Sequence, residues 1–600
     1  MTSDRTYPVV IVGGGLVGLS AACFLAWHGV HSLVVERRET LSSQPRSRGI
    51  NPRTMELMSE IGLAERIRQT VSARALRANT GIIAMQSLAG AEIGALREGY
   101  VAEVDGELGE LTPASWCLCH QGELEPLLAD HARELGALIE FGSEVVDLTQ
   151  DAEAVRLRVR DRSGTEREVR AAYVIAADGA GSTVRQLLGI DFEGEQTLGH
   201  FMNVHFRADL RDQLGDRRFI MAYTFGRYRA ALLPIDNARD WLVHVMFDPA
   251  SETPESFTED RCAEVIRTVT GVPDLEVSVL GAGAWRSAGA VAARLRRGRV
   301  LLAGDAAHVM PPSGAFGSNT GIADAHNLAW KLAAVLRRTA GDELLDTYAT
   351  ERGRAAAATV RQAVLRSMDR PRMAHEDPAP PNPAIIADEL VWFGPRQHDD
   401  ITTTPPNTTA TTATSPTPAT PVTQATQATQ ATQATQATQA TQATQATEDG
   451  ANPGVPEDIW PTALDGSVGT RAPHVPVLEA GRAISTIDLF GAEFVLFAGA
   501  EGAAWFEACA RVADRVGVAI RRYRIAPGSE LRGPVTRYRG VPLTDCLHDH
   551  KALWHQAYGV SERGAVLVRP DGVVAWRTSE STDNAAEELT AVLRRVLRTH

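Results

Sequence analysis

Three stretches far apart in this 600-residue chain carry the residue types that can hold a nucleotide. Gly13-Gly14-Gly15-Leu16-Val17-Gly18 follows an apolar run at once, and Glu36 closes a second such run. In that setting Gly13 permits a tight turn, Gly15 lets the backbone approach a pyrophosphate, and Gly18 lets a helix pack on the strand. The helix N-terminus receives the phosphate charge. Glu36 can take both hydroxyls of an adenosine ribose, and an acid there argues against a 2'-phosphate. Arg37 is the candidate to cover the adenine. The second stretch is Arg299 to Val335. Val300 to Ala303 reads as a buried strand that delivers Asp305 to its carboxyl end, and Pro311, Pro312, Gly314 and Gly317 punctuate a loop. From Gly321 the period turns helical, through Ile322, Ala325, Leu328, Ala329 and Leu332. A carboxylate, a glycine loop and a helix start make a phosphate or flavin site, although the pattern alone fits any α/β connection. In the third stretch, Tyr173 to Ala177 end in Asp178-Gly179-Ala180-Gly181-Ser182, where Asp178 can order backbone groups near a pyrophosphate. No His, Asp and Ser set marks a general base, and His308 reads as a packing residue.

The elements that must position these stretches alternate strand and helix. A helix from Gln121 buries Leu124, Leu127, Leu128, His131 and Leu135, and Ile139 to Val146 reads as a strand. Residues 80 to 115 look glycine-rich and irregular. From about Ile190 to Arg286 the texture becomes strand-like, and an inserted sheet there would cover one face of the site. Its Tyr223, Phe225 and Trp241 could line a flat pocket, though aromatics in strands also build cores. Residues 401 to about 449 are Thr/Pro-rich and repeat Thr-Gln-Ala eight times from Thr423 to Ala446. Such a stretch cannot build a core and reads as a linker. From about Pro453 a βαβ…ββ order follows.

The hydrophobic fraction of 44% is ordinary, and the net charge of -14 with no basic block excludes nucleic acid as a partner. No apolar run approaches the roughly twenty residues of a membrane span, and the N-terminus lacks the pattern of a signal peptide. A cytoplasmic protein is expected. Six scattered cysteines show no disulfide or zinc spacing, so no metal is expected.

GDAAHVMPPSGAFGSNTGIADAHNLAWKL resembles the GD motif of the flavin-dependent aromatic hydroxylases, the single-component FAD monooxygenases. The resemblance implies that Asp305 meets the FAD ribitol, with Pro312, Gly317 and Asn319 in a loop beside the isoalloxazine. Ala315 stands where many relatives carry a second glycine. PRSRGINPRTMEL resembles the family segment in which Arg46 would contact FAD, and DGAGSTVR resembles the DG motif, tying Asp178 to FAD and NADPH. Gln121 would lie near FAD, and the backbone at Val145 would edge the adenine. TPASWCLCHQGELEPLL and GAVLVRPDGVVAWRT resemble the polyketide hydroxylases of the aklavinone hydroxylase type. In that branch an arginine near the substrate falls at Arg372, a catalytic candidate to stabilise a phenolate or enolate; a solvated charge is the plainer reading.

The implied fold class is α/β: a Rossmann-type FAD-binding domain, an inserted β-sheet substrate domain and a C-terminal thioredoxin-like domain. The expected boundaries are 1–189 with 287–400, 190–286, a linker at 401–452, and 453–600. The loop Ala498 to Ala503 has no Cys-x-x-Cys, so the last domain would have a packing or dimer role. The implied activity is hydroxylation of a polycyclic aromatic polyketide in antibiotic biosynthesis. It would use FAD, NADPH or NADH, and O2, through a flavin C4a-hydroperoxide. Baeyer–Villiger or oxidative rearrangement of a polyketide quinone is the alternative, and a non-enzymatic flavoprotein or a binding module a third.

Overall fold

The computed structural model describes residues 6–42, 47–96, 107–369, 382–397, 459–461, 464–527, 537–538 and 541–599. Arg46, Arg372 and the 401–452 segment lie outside the described residues.

Short apolar runs such as VVIV and LVV, buried on both faces, form parallel strands at the heart of the first sheet. Strand Thr6–Val12 lies in the middle. Ser32–Glu36 and then Leu138–Phe141 pair on one side of it, and Glu166–Ala176 and then Val300–Leu302 on the other, all parallel. The chain therefore winds outward in both directions from Thr6–Val12, which leaves a crevice at the carboxyl ends beside it. Helix Leu16–Trp27 packs over this sheet, and the long helix Phe316–Leu336 packs beside it in one core.

The long helix starts at Phe316, earlier than the Gly321 expected from the apolar period, so Gly317 and Asn319 stand in its first turns and not in a loop. Gly314 and Ala315 both take positive φ, 85° and 54°, and this double left-handed turn resets the chain into helix. Glycine and asparagine are tolerated there because the first N–H groups of a helix have no internal partner in any case. Ala315 holds a left-handed conformation that costs an L-residue about 1 kcal/mol and suits glycine.

The second sheet runs His308–Val309, Ser278–Ala292, Phe192–Arg207, Asp240–Phe247, Arg229–Pro234, Met221–Phe225, Ile82–Met85, Glu92–Leu96. It draws two strands from the region expected to be irregular and extends past residue 286. Helix Glu259–Thr270, capped by Thr258, seals one face against Met202, Val204, Phe206, Val243 and Val245.

The third sheet runs Arg482–Ser485, Pro476–Glu479, Cys546–Asp549, Ile520–Pro527, Phe494–Ala498, Ala565–Val568, Val574–Thr578. Helices Ala503–Val516 and Ala585–Leu597 share its core with Trp330, Ala340 and Leu344 of the first region. All six cysteines are buried and free; burial pushes the thiols of Cys23, Cys119 and Cys509 up to about 12. Among the described residues no helix is long and apolar enough to cross a membrane.

Candidate active site

The crevice beside Thr6–Val12 gathers the three stretches. Gly13 takes φ 105° and donates its N–H to Val35 O at 2.9 Å. A Cβ on Gly13 would stand 2.3 Å from Ala177 O, so the turn is pressed against the start of the DG stretch. A Cβ on Gly18 would stand 1.9 Å from Gly13 O, which is the close helix–strand approach. Gly15 differs: a Cβ there would meet nothing nearer than Glu125 Oε1 at 3.8 Å and Arg38 Nη2 at 3.9 Å. Its freedom from a side chain keeps open space in front of the helix.

Glu36 is buried at the carboxyl end of its strand. Its Oε2 accepts from Gly14 N at 2.6 Å, and its Oε1 accepts from Arg38 N at 2.8 Å and Arg38 Nε at 3.0 Å. Burial opposes its charge, but the bonds from Arg38 and Gly14 outweigh that and hold the carboxyl below its ordinary value. Arg38, not Arg37, is the arginine at this corner; Arg37 is exposed. Two adjacent residues leaving a strand point to opposite sides, so only one can turn inward.

Asp178 accepts from Ser182 Oγ at 2.5 Å and Val184 N at 3.1 Å, fixing the turn that follows its strand. Burial pushes its carboxyl up against these bonds. Arg185 donates to Ala180 O at 3.0 Å and Ala306 O at 3.4 Å, and so ties the DG turn to the GD turn. Asp305 is exposed in the short turn Gly304–Ala306. A Cβ on Gly304 would meet Val17 Cγ2 at 2.7 Å, and one on Gly321 would meet it at 2.6 Å. The GD turn and the long helix thus close on the residue two places after Gly15.

Asn319 is buried and spends its amide on backbone, donating to Gly49 O at 2.9 Å and Ala315 O at 2.6 Å and accepting from Asn51 N at 3.1 Å. Pro312 is exposed at the head of the turn that precedes the helix, and Gly317 has only Met310 Cγ within 4 Å of a notional Cβ. Gln121 accepts from Ser47 N at 3.0 Å and donates to the buried Glu125 at 2.7 Å. Val145 is buried in strand Ser143–Gln150 opposite Val159. Beneath the GD turn lies an ion triad that the sequence reading missed. Asp324 accepts from Gly304 N at 3.1 Å, contacts His308 Nε2 at 2.6 Å and pairs with Arg352 Nε at 2.8 Å. Burial acts to raise the Asp324 carboxyl, yet His308 and Arg352 pull it below its ordinary value.

The second sheet turns its open face toward these loops. Tyr223 pairs with Ala231, which pairs with His244, so both side chains share that face with Phe225, Phe201, His205 and Trp285. Arg48, buried beside Ser47, donates to the carbonyls of Pro234 and Ile220 and joins the sheet to the loop. Burial, then Arg48, holds His244 down at about 4, so this imidazole is neutral near pH 7. His244 Nδ1 and Trp285 Nε1 are buried with no protein partner. Trp241 is not on this face. It is 0% exposed, packs on the far side with Val243 and Phe206, and donates Nε1–H to Ala238 O at 3.3 Å. The alternation of DWLVHVMF carries the signal: Trp241, Val243, Val245 and Phe247 fall on the core parity, and polar His244 falls on the other.

The chemistry of these groups suits FAD: a fingerprint turn left open at Gly15, a buried carboxylate at Glu36, and an exposed Asp305. A family model described as FAD binding domain matches residues 6–363, and one described as aromatic-ring hydroxylase, C-terminal, matches residues 465–599. The chain is 40% identical to a putative polyketide hydroxylase of Streptomyces halstedii, covering 99% of this chain and 96% of that one. It is 37% identical to the tetracenomycin A2 monooxygenase-dioxygenase of Streptomyces glaucescens, covering 99% and 97%. A ternary complex of aklavinone-11 hydroxylase with FAD and aklavinone superposes with a TM-score of 0.82 at 33% identity, over 100% of both chains.

Proposed function

The chain belongs to the FAD-dependent aromatic-ring hydroxylases and is an aromatic monooxygenase, and from that premise we propose that it hydroxylates a polycyclic aromatic polyketide in antibiotic biosynthesis, using NADPH or NADH and O2. The observation that carries this is the meeting of the three turns, the DG stretch against Gly13, the GD turn against Val17 and Arg185 between them, with a half-buried sheet face joined to the neighbouring loop through Arg48.

FAD supplies the hard chemistry when bound: it accepts electrons from the nicotinamide and activates O2 for attack on an electron-rich ring carbon. The residues of the chain do the rest. Gly13 to Gly18 and the helix start would hold the pyrophosphate, Glu36 the ribose, and Asp305 the ribitol. Arg185 keeps the two acidic turns in register. Tyr223, Phe225, Phe201 and Trp285 offer rings to a planar substrate and exclude water. His244 and Trp285 offer polar atoms that want partners, which suits the hydroxyls and carbonyls of such a ring system. Arg372, outside the described residues, is proposed as the group that steadies developing phenolate charge. In the C-terminal sheet, parallel pairing of Phe494–Ala498 with Ile520–Pro527 and antiparallel pairing with Ala565–Val568 support a thioredoxin-like unit without its redox cysteines.

The test is turnover: FAD-loaded protein given NADPH, O2 and an anthracyclinone should release a ring-hydroxylated product. Peroxide without product contradicts the proposal. The two faces of the sheet separate by mutation. Trp241→Ala should cost about 3–5 kcal/mol in a urea unfolding curve, as an emptied core site does. Tyr223→Ala should leave the unfolding midpoint near that of the wild type and raise the KM for the polycycle severalfold.

A further inference from the structure

The long helix Phe316–Leu336 has two working sides. Its first half touches the strand at Gly49, the fingerprint helix at Val17 and the GD turn at Gly304, through Asn319, Gly321 and Asp324. One turn later Asn327, Trp330 and Lys331 face the C-terminal domain, within a buried network of two cations and two carboxylates. Lys331 Nζ meets Glu351 Oε2 at 2.7 Å, and Arg569 Nη1 meets Glu351 Oε1 at 2.7 Å. Arg569 also donates to Asp571 Oδ1 at 3.0 Å and Oδ2 at 2.5 Å. Asp571 Oδ2 accepts from Asn327 Nδ2 at 2.9 Å and Trp330 Nε1 at 3.0 Å. Glu351 immediately precedes Arg352, which holds Asp324 under the GD turn. A second tie runs to helix Pro52–Glu60, just after the strand that Asn319 grips: Arg471 Nε donates to Glu56 at 3.0 Å, and Arg53 to Asp571 O at 3.0 Å.

The apolar contacts agree. Trp330 meets Phe494 edge-on at 6.0 Å, and Trp330, Ala340 and Leu344 belong to the core of the C-terminal domain itself. The C-terminal core is thus completed by side chains of the first region. A buried ion network adds little stability over apolar packing of the same volume, and its best-attested use is to fix one register. Helix register is what the flavin side requires, since Gly321 and Gly304 approach Val17 with no room for a methyl group.

We propose that the C-terminal domain is a positioning element for the flavin site: Arg569 and Asp571 lock the register of helix Phe316–Leu336 through Asn327, Trp330, Lys331 and Glu351, and so set FAD affinity without touching FAD. The FAD part rests on the function proposed above; the register part does not. The deciding variant is the charge-balanced pair Lys331→Met with Asp571→Asn in the full chain, which leaves Arg569 and Glu351 to neutralise each other. Two readouts are taken well below the unfolding temperature: FAD dissociation by flavin fluorescence, and amide hydrogen exchange of the peptide over Gly304 to Met310 in the apo protein. Binding about tenfold weaker than wild type, with faster exchange at the GD turn and little change in unfolding temperature, is expected. Wild-type affinity and wild-type exchange in the folded double variant would overturn the proposal and leave the network a stability device. Should the double variant not fold, Trp330→Phe, which removes one donor to Asp571 and keeps an aromatic ring in the core, is expected to weaken FAD about threefold and to speed the same exchange; no change in either would overturn it equally. Failure of the wild type to bind FAD would sink the function proposal, while the apo exchange arm would still decide the register.

Discussion

Gly15→Val is expected to give a chain that folds and does not hold FAD. A Cβ at Gly15 meets no protein atom nearer than 3.8 Å, and the backbone there is extended at φ -87°, which a β-branched residue adopts. The change of helix N-cap costs about 1 kcal/mol. The space it fills is where the pyrophosphate must approach the backbone, so affinity should fall at least about 100-fold, roughly 2.7 kcal/mol. Gly13→Ala and Gly18→Ala should behave oppositely. Their new methyl groups would stand 2.3 Å and 1.9 Å from backbone oxygens, and such clashes damage folding itself. Unfolding curves of the apo proteins beside FAD titrations separate the two classes. Gly15→Val binding FAD within threefold of wild type would place the pyrophosphate elsewhere.

The second large effect is expected at Asp324. Its carboxylate is wholly buried between His308 and Arg352 and also receives Gly304 N. Asp324→Asn keeps the shape and removes the charge, which leaves Arg352 buried without its counter-ion. Breaking a buried pair in this way costs about 3–5 kcal/mol. The loss should appear as a lower urea midpoint and as weaker FAD binding, because the GD turn loses its anchor. A change below about 1 kcal/mol would mean that the triad is not what holds that turn.

How much of this was legible in the sequence follows from range. Gly13, Gly15, Gly18 and Glu36 were readable because strand, turn, helix and acid lie within one local unit whose geometry each residue type states. The GD and DG turns were marked by resemblance to family segments, since as bare patterns they fit any α/β connection. The Asp324–His308–Arg352 triad was not, since its members sit 16 and 28 residues apart and helix period gives no pairing across elements. Arg38 was missed in favour of Arg37 because composition does not say which of two neighbours turns inward. Strands Ile82–Met85 and Glu92–Leu96 were hidden by glycine-rich flanks and gain their order from long-range pairing with Met221–Phe225. Trp241 was misassigned by residue type, although strand parity pointed to the core.

If one crevice seats a flavin against an aromatic ring, the purified protein should put oxygen on that ring. The purified full-length protein is incubated with FAD, NADPH, isotope-labelled O2 and a polycyclic phenol, and label is followed into the product by mass spectrometry. One labelled oxygen atom on a ring carbon for each nicotinamide oxidised is predicted. A protein that stays colourless with FAD, or that consumes nicotinamide while the phenol remains unlabelled, would contradict it.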